Sequence, residues 1–483
     1  MSAVNELSIA IIGAGFGGIA MGIALKNAGH KNFQIFEKSA TLGGVWRDNI
    51  YPGVACDVPS VLYSFSYEQD FPWSKRYAPG AEIQQYLEHC ADKYGISQHI
   101  LYEHELKSAE FSDEKNSWRL SFRKRKSVDS NIVISAMGLF NRAYLPNLEG
   151  AASFQGPSFH SSNWNQKLDL KGKHIAVVGT GASAIQFVPE IAPIAGSLLV
   201  FQRSAQYVTP KIAARGSDIF DTTVPLAERQ RERQEIYQEM VNNSDRRYSL
   251  KKTQDAQNGF TNYLKSVIKD PDFLAKVTPR YPFGCKRVLR SDDWYPALLR
   301  ENVALIPEEV TKILPSGLVA GDKTYEGIEV IIYNTGFQTT EYLAPVDITG
   351  AEGISLRDQW SAGAEAFLGM AISGFPNFFI MYGPNTNLSG SIIHMLECQA
   401  NYILQAITKL GDRRAVSLTV RKDRQDIFNA TIQKRISEST MTANNCLSYF
   451  QTETGKVVTQ WPGSTEDYTE ATKTFDQDDF IWA

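Results

Sequence analysis

The chain has 483 residues, a formal net charge of −4 and ordinary apolar and charged fractions, which predict a soluble globular protein of two or three domains. This balance gives no reason to expect binding to nucleic acid or to an anionic membrane. No apolar run reaches the roughly 18 residues of a transmembrane helix, and the N-terminus lacks the basic start of a signal peptide. The five cysteines are scattered and form no CxxC pair, which favours reduced thiols in a cytoplasmic protein over a disulfide framework.

The first predicted unit is a strand, a glycine-rich turn, a helix and a second strand. An apolar strand leads into Gly13, Gly15 and Gly18, spaced as G-x-G-x-x-G, and a second strand over residues 33–36 ends in Glu37. The glycines permit a tight turn, close approach of a pyrophosphate and packing of the helix on the strand, and the acid can accept hydrogen bonds from ribose hydroxyls. The unit therefore predicts a site for an adenine dinucleotide without a 2′-phosphate.

The second predicted unit repeats this pattern in the middle of the chain. A strand leads into Gly179, Gly181 and Ser183, a helical segment follows, and the next strand ends just before Arg203. The separation 203 − 179 = 24 equals the separation 37 − 13 = 24 between the first glycine and the acid of the first unit. Because the planar guanidinium of arginine suits a phosphate, this unit is predicted to bind NADP rather than NAD. The alternative for Arg203 is a solvated surface side chain.

Two later strands extend the repeat. Residues 132–140 and 330–337 are apolar and run into turns at Gly138 and Gly336, so the chain is predicted to be a duplicated Rossmann-like α/β architecture. The second unit is inserted in the first, because another strand pattern follows it at residues 374–383. Two adjacent dinucleotide sites favour hydride transfer from NADPH to a flavin, and FAD is therefore predicted for the first unit. The histidines and cysteines show no metal-ligand spacing, so no metal site is predicted.

The segment that follows the first unit is dense in glycine, proline and aromatic residues and lacks a clear period, which is typical of functional segments in compact folds. Gly44 permits close approach of the backbone to a cofactor. Trp46, Tyr51 and Tyr63 are candidates either for the walls of a flavin site or for ordinary core residues. The two interpretations have equal standing on these residues alone.

Asp57 stands between small and apolar neighbours, and a buried carboxylate requires a cationic partner. Lys286 and Arg287 are the candidates. One of them can help Arg203 to hold a 2′-phosphate while the other points at the flavin. The alternative is a basic turn in solvent.

Residues 215–280 differ in composition from the rest of the chain, since they are polar and mostly helix-forming. They predict a helical insertion in the second unit. The insertion is either a lid or wall of the site or a solvated subdomain, and the composition favours the solvated subdomain.

Several spaced motifs together carry a resemblance to one family. The linker between the two fingerprints holds F-x-G-x-x-x-H-x-x-x-W, the segment over residues 43–57 holds G-G-x-W and Y-P-G-x-x-x-D, and a Lys-Arg pair follows the helical insertion. The linker motif consists of Phe154, Gly156, His160 and Trp164. On these motifs the sequence resembles the flavin-dependent class B monooxygenases, and among them the type I Baeyer–Villiger monooxygenases. It departs from the family pattern at Asn165, where the family has Pro or Asp, and at Ala55, where some relatives carry Arg.

The resemblance covers nearly the whole chain and implies an FAD-binding domain built from both ends, with an NADP-binding domain in the middle. The domains predicted on this basis are residues 1–145 (FAD-binding, first segment), 146–213 (linker and NADP-binding, first segment), 214–280 (helical insertion), 281–338 (NADP-binding, second segment) and 339–483 (FAD-binding, second segment, with the C-terminal part). The residues predicted to bind the two cofactors are Gly13, Gly15, Phe16, Gly18, Glu37, Lys38, Gly44, Val45, Trp46, Asp57, Tyr63, Leu106, Gly179, Thr180, Gly181, Ala182, Ser183, Arg203 and Lys286.

The resemblance also implies a reaction. NADPH reduces FAD, the reduced flavin takes up O₂ to form a C4a-peroxide, and this peroxide converts a ketone to an ester or lactone. The catalytic residues implied are Arg287, which holds the peroxide as an anion, and Asp57, which orients Arg287. Many enzymes of this family also oxidise sulfides, so the expected small-molecule substrates are ketones and thioethers.

Two other functions stay open at this point. An N- or S-oxygenating flavin monooxygenase of the same class uses the same cofactors, but its linker motif usually lacks the tryptophan and it does not need the Asp57/Arg287 pair. A flavoprotein redox sensor without turnover is the second alternative, and steady NADPH consumption with an organic product would exclude it. A pyridine nucleotide–disulfide reductase is disfavoured by the missing cysteine pair.

The linker FQGPSFHSSNW at residues 154–164 has the glycine, proline and serine content of a connector, yet it carries three bulky side chains. We expect Phe154, His160 and Trp164 to fix the path of a hinge between the domains. In this hypothesis they couple NADP binding to the flavin pocket and do not touch the substrate.

Overall fold

The computed structural model describes residues 7–211, 224–242, 249–388, 390–443, 446 and 448–483. The first segment of the chain alternates strands and helices and then continues into an antiparallel meander. Its elements in chain order are β1 (Ile9–Ile12), α1 (Phe16–Asn27), β2 (Phe33–Phe36), α2 (Val45–Asp48), α3 (Gly80–Lys93), β3 (Ile100–Leu101), β4 (Leu106–Ser112), β5 (Ser117–Phe122), β6 (Val128–Ser130) and β7 (Ile132–Ser135).

The middle segment repeats this order and adds further helices. Its elements are β8 (Ser158–His160), β9 (His174–Val178), α4 (Ala184–Ile191), β10 (Ser197–Phe201), β11 (Val208–Thr209), α5 (Leu226–Asn242), α6 (Leu250–Val267), α7 (Pro271–Val277), β12 (Leu289–Arg290), α8 (Trp294–Leu298), β13 (Val303–Ile306), β14 (Val310–Leu314), β15 (Gly317–Ala320), β16 (Lys323–Glu326) and β17 (Val330–Tyr333). The predicted helical insertion falls on α5, α6 and α7, and its residues 214–223 and 243–248 lie outside the described residues.

The last segment contributes one strand to the first large sheet and several helices around it. Its elements are β18 (Asp347–Thr349), α9 (Leu356–Gln359), β19 (Phe378–Ile380), α10 (Ile392–Arg413), β20 (Leu418–Val420), α11 (Lys422–Ser437), α12 (Thr465–Thr472) and β21 (Phe480–Trp482). Among the described residues, no helix combines the length and the apolar composition that a membrane span needs.

The first large sheet has five parallel strands in the order β19-β7-β1-β2-β3. Ile9 of β1 lies opposite Phe33 of β2 on one side and Ile132 of β7 on the other. Every residue of β1 and β7 is buried, because α1 and α10 cover one face of the sheet and the antiparallel strands β4 and β5 cover the other. The strand predicted within residues 374–383 is present as β19 and is shorter than the pattern suggested.

The second large sheet, β13-β10-β9-β17-β8, has the same arrangement as the first. Its central strand β9 precedes the second glycine-rich turn, as β1 precedes the first, and β10 and β17 flank it as β2 and β7 flank β1. Each unit also holds an antiparallel set, β4-β5-β6 in the first and β14-β15-β16 in the second. The predicted fold class, α/β with two Rossmann-like units, is therefore confirmed.

Part of the linker forms a strand, which the sequence pattern does not predict. β8 pairs in parallel with β17, so that Ser158 lies opposite Ile331 and His160 opposite Tyr333. A Cβ at Gly156 would collide with the backbone carbonyl of Glu329, which explains the glycine of the motif. The interpretation of this stretch as a connector is wrong over β8, because its backbone groups are bound in the second sheet. There β8 holds the edge position that β19 holds in the first sheet.

Helix α5 of the insertion packs against the first unit. Arg233 Nε donates a hydrogen bond to the carbonyl of Val61 at 3.0 Å, and Arg229 Nη1 donates to the carbonyl of Gln69 at 2.9 Å. Arg76 of the first unit forms an ion pair with Glu232 at 2.5 Å. The expectation of a solvated helical subdomain is wrong for α5, because its arginines reach carbonyl groups that the composition of the helix does not reveal.

Cys285 and Cys446 form a disulfide, with their Cα atoms 5.6 Å apart and a separation of 161 positions in sequence. Cys56, Cys90 and Cys398 are free thiols. The expectation of reduced cysteines is wrong for this pair. Both cysteines lie in the core of the second unit, and their proximity depends on how the C-terminal part packs there, which cysteine spacing alone does not show.

Candidate active site

Both glycine-rich turns open into one continuous cavity of about 1730 Å³. The turns follow β1 and β9 at the carboxyl ends of parallel strands, where open α/β sheets bind their ligands. All the residues predicted to bind cofactors line this cavity except Gly18, and Arg287 lines it as well. A side chain at Gly18 would collide with the carbonyl of Gly13, so this glycine serves the packing of α1 on β1.

The carboxylate of Glu37 is fixed at the end of β2, and only 3% of the residue is exposed. Its Oε2 accepts a hydrogen bond from the backbone N–H of Ala14 at 2.8 Å, and its Oε1 accepts one from Ser39 at 2.9 Å. Arg47 adds an ion pair at 3.0 Å. Because each carboxylate oxygen has two acceptor positions, Glu37 keeps capacity for ribose hydroxyls beyond these contacts.

Gly15 and Gly44 face each other across the mouth of the first turn. A Cβ on Gly44 would lie 3.3 Å from the Cα of Gly15, and a Cβ on Gly15 would lie 3.7 Å from the Cα of Gly44. Side chains at these positions would fill the space in front of the N-terminus of α1. That N-terminus has no acidic residue in its first turn, so its free N–H groups form a cradle that fits a pyrophosphate.

Aromatic side chains form one wall of the cavity beside this cradle. Trp46 Nε1 donates a hydrogen bond to the Tyr63 hydroxyl at 3.1 Å, and the Tyr63 ring packs edge-on against Phe16 at a centroid distance of 5.2 Å. Burial raises the pKa of Tyr63 well above its usual value, so the phenol is neutral. Trp46 and Tyr63 line the cavity and also pack on the core, so their contacts suit either interpretation and the flavin wall stays a prediction.

Arg203 and Lys286 meet at the mouth of the second turn. Lys286 Nζ donates to Ser204 Oγ at 2.8 Å and lies 4.6 Å from the centre of the Tyr281 ring. Burial and, after it, the positive charge of Arg203 lower the pKa of Lys286 to about 8. Arg203 has 70% of its side chain exposed and contacts Glu309 at 3.3 Å. The two neighbouring cations repel each other, and a bound anion would relieve that repulsion.

Asp57 and Arg287 form an ion pair across the two units. Arg287 Nη2 donates to both carboxylate oxygens, at 2.7 Å to Oδ1 and 2.6 Å to Oδ2. The charge of Asp57 raises the pKa of Arg287 above its usual value and outweighs the effect of burial. The guanidinium is therefore charged at any working pH. It lines the cavity and keeps 41% of its side-chain surface open.

The Y-P-G-x-x-x-D motif is a loop that packs closely against α4. A Cβ on Gly53 would lie 2.7 Å from the carbonyl oxygen of Gln186, and the φ of Gly53 is +74°. Tyr51 is 8% exposed and packs in the core of the second unit, with its ring 6.1 Å from that of Phe187. The motif thus brings the first unit into contact with the second and ends at Asp57.

Two tyrosines beside the ion pair belong to none of the motifs. Tyr382 and Tyr449 line the cavity and interact electrostatically with Arg287. The Tyr382 hydroxyl donates to Asn387 Oδ1 at 3.1 Å, and burial raises its pKa. The position of Tyr382 near the end of the strand predicted over residues 374–383 is the signal that the sequence offers for it. Tyr449 lies in an irregular segment and has no such signal.

None of the four linker residues lines the cavity, although Ser161 does. His160 is 2% exposed and Trp164 is 9% exposed. The Trp164 ring lies 5.2 Å from that of Phe187, and His160 Nδ1 accepts a hydrogen bond from the backbone of Ser162 at 3.1 Å. Burial lowers the pKa of His160. These contacts agree with a role in fixing the path of the linker.

Comparison with known proteins identifies the family. The sequence model of the flavin-binding monooxygenase-like family matches residues 6–343 of this chain. A Baeyer–Villiger monooxygenase of Pseudomonas aeruginosa is 37% identical over 98% of this chain and 91% of its own length. The chain belongs to the flavin-binding monooxygenase-like family. A Baeyer–Villiger monooxygenase of Streptomyces coelicolor is 34% identical over 98% of this chain and 92% of its own length.

Solved structures of other flavin-binding monooxygenases share this fold. OTEMO in complex with FAD and NADP has a TM-score of 0.90 at 24% identity, and the closed structure of cyclohexanone monooxygenase has 0.88 at 23%. Oxidized steroid monooxygenase bound to NADP has a TM-score of 0.86 at 26% identity. Each comparison covers 99% of both chains. With the relatives above, these findings confirm the prediction of a Baeyer–Villiger-type monooxygenase that uses FAD and NADP.

Proposed function

We propose that this flavin-binding monooxygenase converts ketones to esters or lactones with NADPH and O₂, and that Arg287 and Asp57 are its catalytic residues. The observation that carries the proposal is their ion pair at the wall of a cavity shared by both nucleotide sites. A charged guanidinium beside two nucleotide sites suits a reaction in which negative charge develops on oxygen.

The residues of the first turn fit FAD. The N-terminus of α1 with Gly15 and Gly44 would receive the pyrophosphate, and Glu37 would accept the ribose hydroxyls. Trp46 and Tyr63 would lie along the flavin. Bound FAD, once reduced by NADPH, supplies the activated oxygen of the reaction.

The residues of the second turn fit NADP. Gly179, Gly181 and Ser183 stand at the N-terminus of α4 and would receive the pyrophosphate. Arg203 and Lys286 would hold the 2′-phosphate, which would relieve the repulsion that helps to lower the pKa of Lys286. NADP bound here would also cover the ion pair and keep water away from it.

Arg287 has a defined role in this proposal. Attack on a ketone carbonyl places negative charge on the carbonyl oxygen, and a fixed cation stabilises that charge without reorganisation. The contacts with Asp57 use Nη2, whereas a guanidinium carries five N–H donors. Asp57 therefore orients the side chain and leaves donors for the reacting oxygen atoms.

The relatives named Baeyer–Villiger monooxygenases support ketones as the substrates. The test is a product screen of the FAD-loaded protein with NADPH, O₂ and a panel of linear, cyclic and aryl ketones together with one thioether. We expect an ester or lactone from at least one ketone and, as a second activity, a sulfoxide from the thioether. A sulfoxide without any ester would contradict the proposal and favour an S-oxygenating enzyme.

A cytoplasmic location is part of the same proposal, because the reaction draws on the NADPH of the cell interior, although a disulfide such as Cys285–Cys446 is uncommon in that compartment. Fractionation of the source cells, with detection of the protein by antibody, tests it. Recovery of the protein outside the cytoplasmic fraction would contradict the location but not the reaction.

A further inference from the structure

One side-chain amide joins helix α4 of the second unit to the loop that carries Asp57. Gln186 Oε1 accepts a hydrogen bond from the Tyr51 hydroxyl at 2.9 Å and one from the backbone N–H of Ala55 at 3.4 Å. Its Nε2 donates to the carbonyl of Ala55 at 2.8 Å. The amide therefore binds both backbone polar groups of Ala55, as a neighbouring strand would.

The loop is held on its other side by the first unit. The backbone N–H of Cys56 donates to the carbonyl of Ala78 at 3.0 Å, and Ala55 bridges to Pro79. Asp57 follows directly and binds Arg287 at 2.6 Å. Gln186 therefore sets the position of Asp57 relative to the second unit, because it holds Ala55, two residues before Asp57.

The other end of this connection lies at the NADP site. Gln186 stands three residues after Ser183, the N-cap residue of α4, and both side chains lie near the Tyr51 hydroxyl. A contact from outside the helix supports this turn. Pro189 has no backbone N–H to donate to the carbonyl of Ile185, and Ser291 Oγ donates a hydrogen bond to that carbonyl at 3.5 Å instead. A ligand that fixes the N-terminus of α4 thus fixes the Gln186 amide one turn away.

We propose that Gln186 is a positioning residue, which transmits occupancy of the NADP site to the Asp57–Arg287 pair. NADP at the N-terminus of α4 holds the helix, the Gln186 amide holds Ala55, and Ala55 sets Asp57 in the orientation that directs Arg287 into the cavity. Gln186 lines the cavity, and in this proposal it acts through Ala55 and not on a reacting atom. The inference rests on the proposed NADP site and on the proposed role of the ion pair.

The test compares Gln186→Met with the wild-type protein, both loaded with FAD. Methionine has the length of glutamine but neither donates to nor accepts from Ala55, so it removes the connection while keeping the packing. The control is Glu190→Gln, an exposed position on the same helix. The dissociation constant of NADP⁺ is measured by calorimetry, and hydrogen exchange of the peptide covering residues 53–58 is measured with and without NADP⁺.

In the wild-type protein and in Glu190→Gln, we expect NADP⁺ to slow exchange in this peptide by about fivefold or more, as couplings between sites commonly do. In Gln186→Met, NADP⁺ still binds but no longer slows that exchange. With a ketone that the wild-type protein oxidises, the variant also releases more hydrogen peroxide per NADPH consumed.

Equal protection by NADP⁺ in Gln186→Met and the wild-type protein would overturn the inference, as would absence of protection in the wild-type protein. If Gln186→Met does not retain FAD, Gln186→Glu takes its place, because a carboxylate still accepts from Tyr51 but cannot donate to Ala55. Neither binding nor exchange requires ester formation. A failure of the proposed reaction is therefore distinct from a failure of this inference.

Discussion

At Arg287 a single nitrogen contacts both oxygens of Asp57, which leaves the remaining N–H groups for the cavity. Its neighbour Lys286 shows why an arginine is needed here. Burial and then the charge of Arg203 lower the pKa of Lys286 to about 8, so Lys286 itself approaches neutrality at working pH, whereas Asp57 raises the pKa of Arg287. A cation that must stay charged in a cavity is accordingly a guanidinium.

Replacement of Arg287 by lysine should damage the reaction more than the binding of the cofactor. We expect Arg287→Lys to lower ester formation by about 10²-fold or more, since loss of one fixed donor to a developing oxyanion costs that much. The dissociation constant of NADP⁺ should stay nearly unchanged. Ester is measured by gas chromatography and binding by calorimetry, with the exposed Arg300→Lys as control. Full ketone oxidation by Arg287→Lys would show that this role is misassigned.

The lowered pKa of Lys286 predicts that the dissociation constant of NADP⁺ depends on pH, whereas that of NAD⁺ does not. In the free protein Lys286 is charged below about pH 8 and neutral above it. A bound 2′-phosphate stabilises the charged form, so its pKa rises in the complex and binding above pH 8 requires uptake of a proton. The dissociation constant of NADP⁺ should therefore increase as pH rises from 8, by up to about tenfold per unit.

Titration of NADP⁺ into the FAD-loaded protein between pH 6.5 and 9.5 checks this, with NAD⁺ as the matched ligand that lacks the phosphate. Lys286→Met should bind NADP⁺ more weakly at pH 7 and lose the pH dependence. Parallel curves for NADP⁺ and NAD⁺ would remove Lys286 from the 2′-phosphate site.

Among the helices and strands, β8 has the largest effect on how the linker motif is interpreted. It joins the second sheet beside β17, and Gly156 allows the close approach to Glu329. The His160 ring lies 5.5 Å from that of Phe337, which follows the strand end at the cavity. The bulky residues of the motif therefore attach the linker to the second unit, and a hinge in this region has to lie outside β8.

His160→Ala should lower the coupling of NADPH consumption to product while FAD stays bound. The substitution removes the ring contact with Phe337 and the bond to Ser162, which loosens β8 against β17 without touching the first unit. Product and NADPH are quantified together, and bound FAD is read from its absorbance. Ser158→Ala, an exposed position on the same strand, is the control. Unchanged coupling in His160→Ala would count against this role.

At the scale of the whole molecule, contacts between the two units come from separate parts of the chain. Arg229 and Arg233 of α5 bind carbonyl groups of the first unit, and Gln186 and Arg287 bind the loop that ends at Asp57. The Cys285–Cys446 disulfide ties the C-terminal part to the segment just before Lys286. The walls of the cavity are thus held together by contacts between different parts of the chain, and not by either sheet alone.

Because of the disulfide, fewer cysteine thiols should react with a thiol reagent before reduction than after it. In denaturant, three thiols should react before reduction and all five after it, because Cys56, Cys90 and Cys398 are free. Reductant should also lower the midpoint of thermal unfolding, since loss of a disulfide costs about 2–4 kcal/mol of stability. The Cys446→Ser variant should unfold at a lower temperature than the wild-type protein and should not respond to reductant, whereas Cys398→Ser should respond as the wild-type protein does. Five reactive thiols before reduction would disprove the bond.

The sequence by itself determined the two nucleotide-binding units and predicted a different cofactor for each. Each fingerprint is a local feature: the glycines of a turn, the strand before it and the residue after the next strand lie within one short stretch. Backbone geometry and the charge at the strand end therefore follow from neighbouring residues, and Glu37 and Arg203 stand at the cavity as their spacing predicted. The importance of Asp57 and Arg287 came from a resemblance to a family, since spacing alone left them as candidates.

The tertiary structure alone decided which distant residues meet. Asp57 and Arg287 are 230 residues apart, Gln186 and Ala55 are 131 apart, and the two disulfide cysteines are 161 apart. The same holds for β8, whose backbone pairs with β17 although its composition is that of a connector. Such contacts depend on how two separately folded units pack against each other, and no local pattern of side chains encodes that packing.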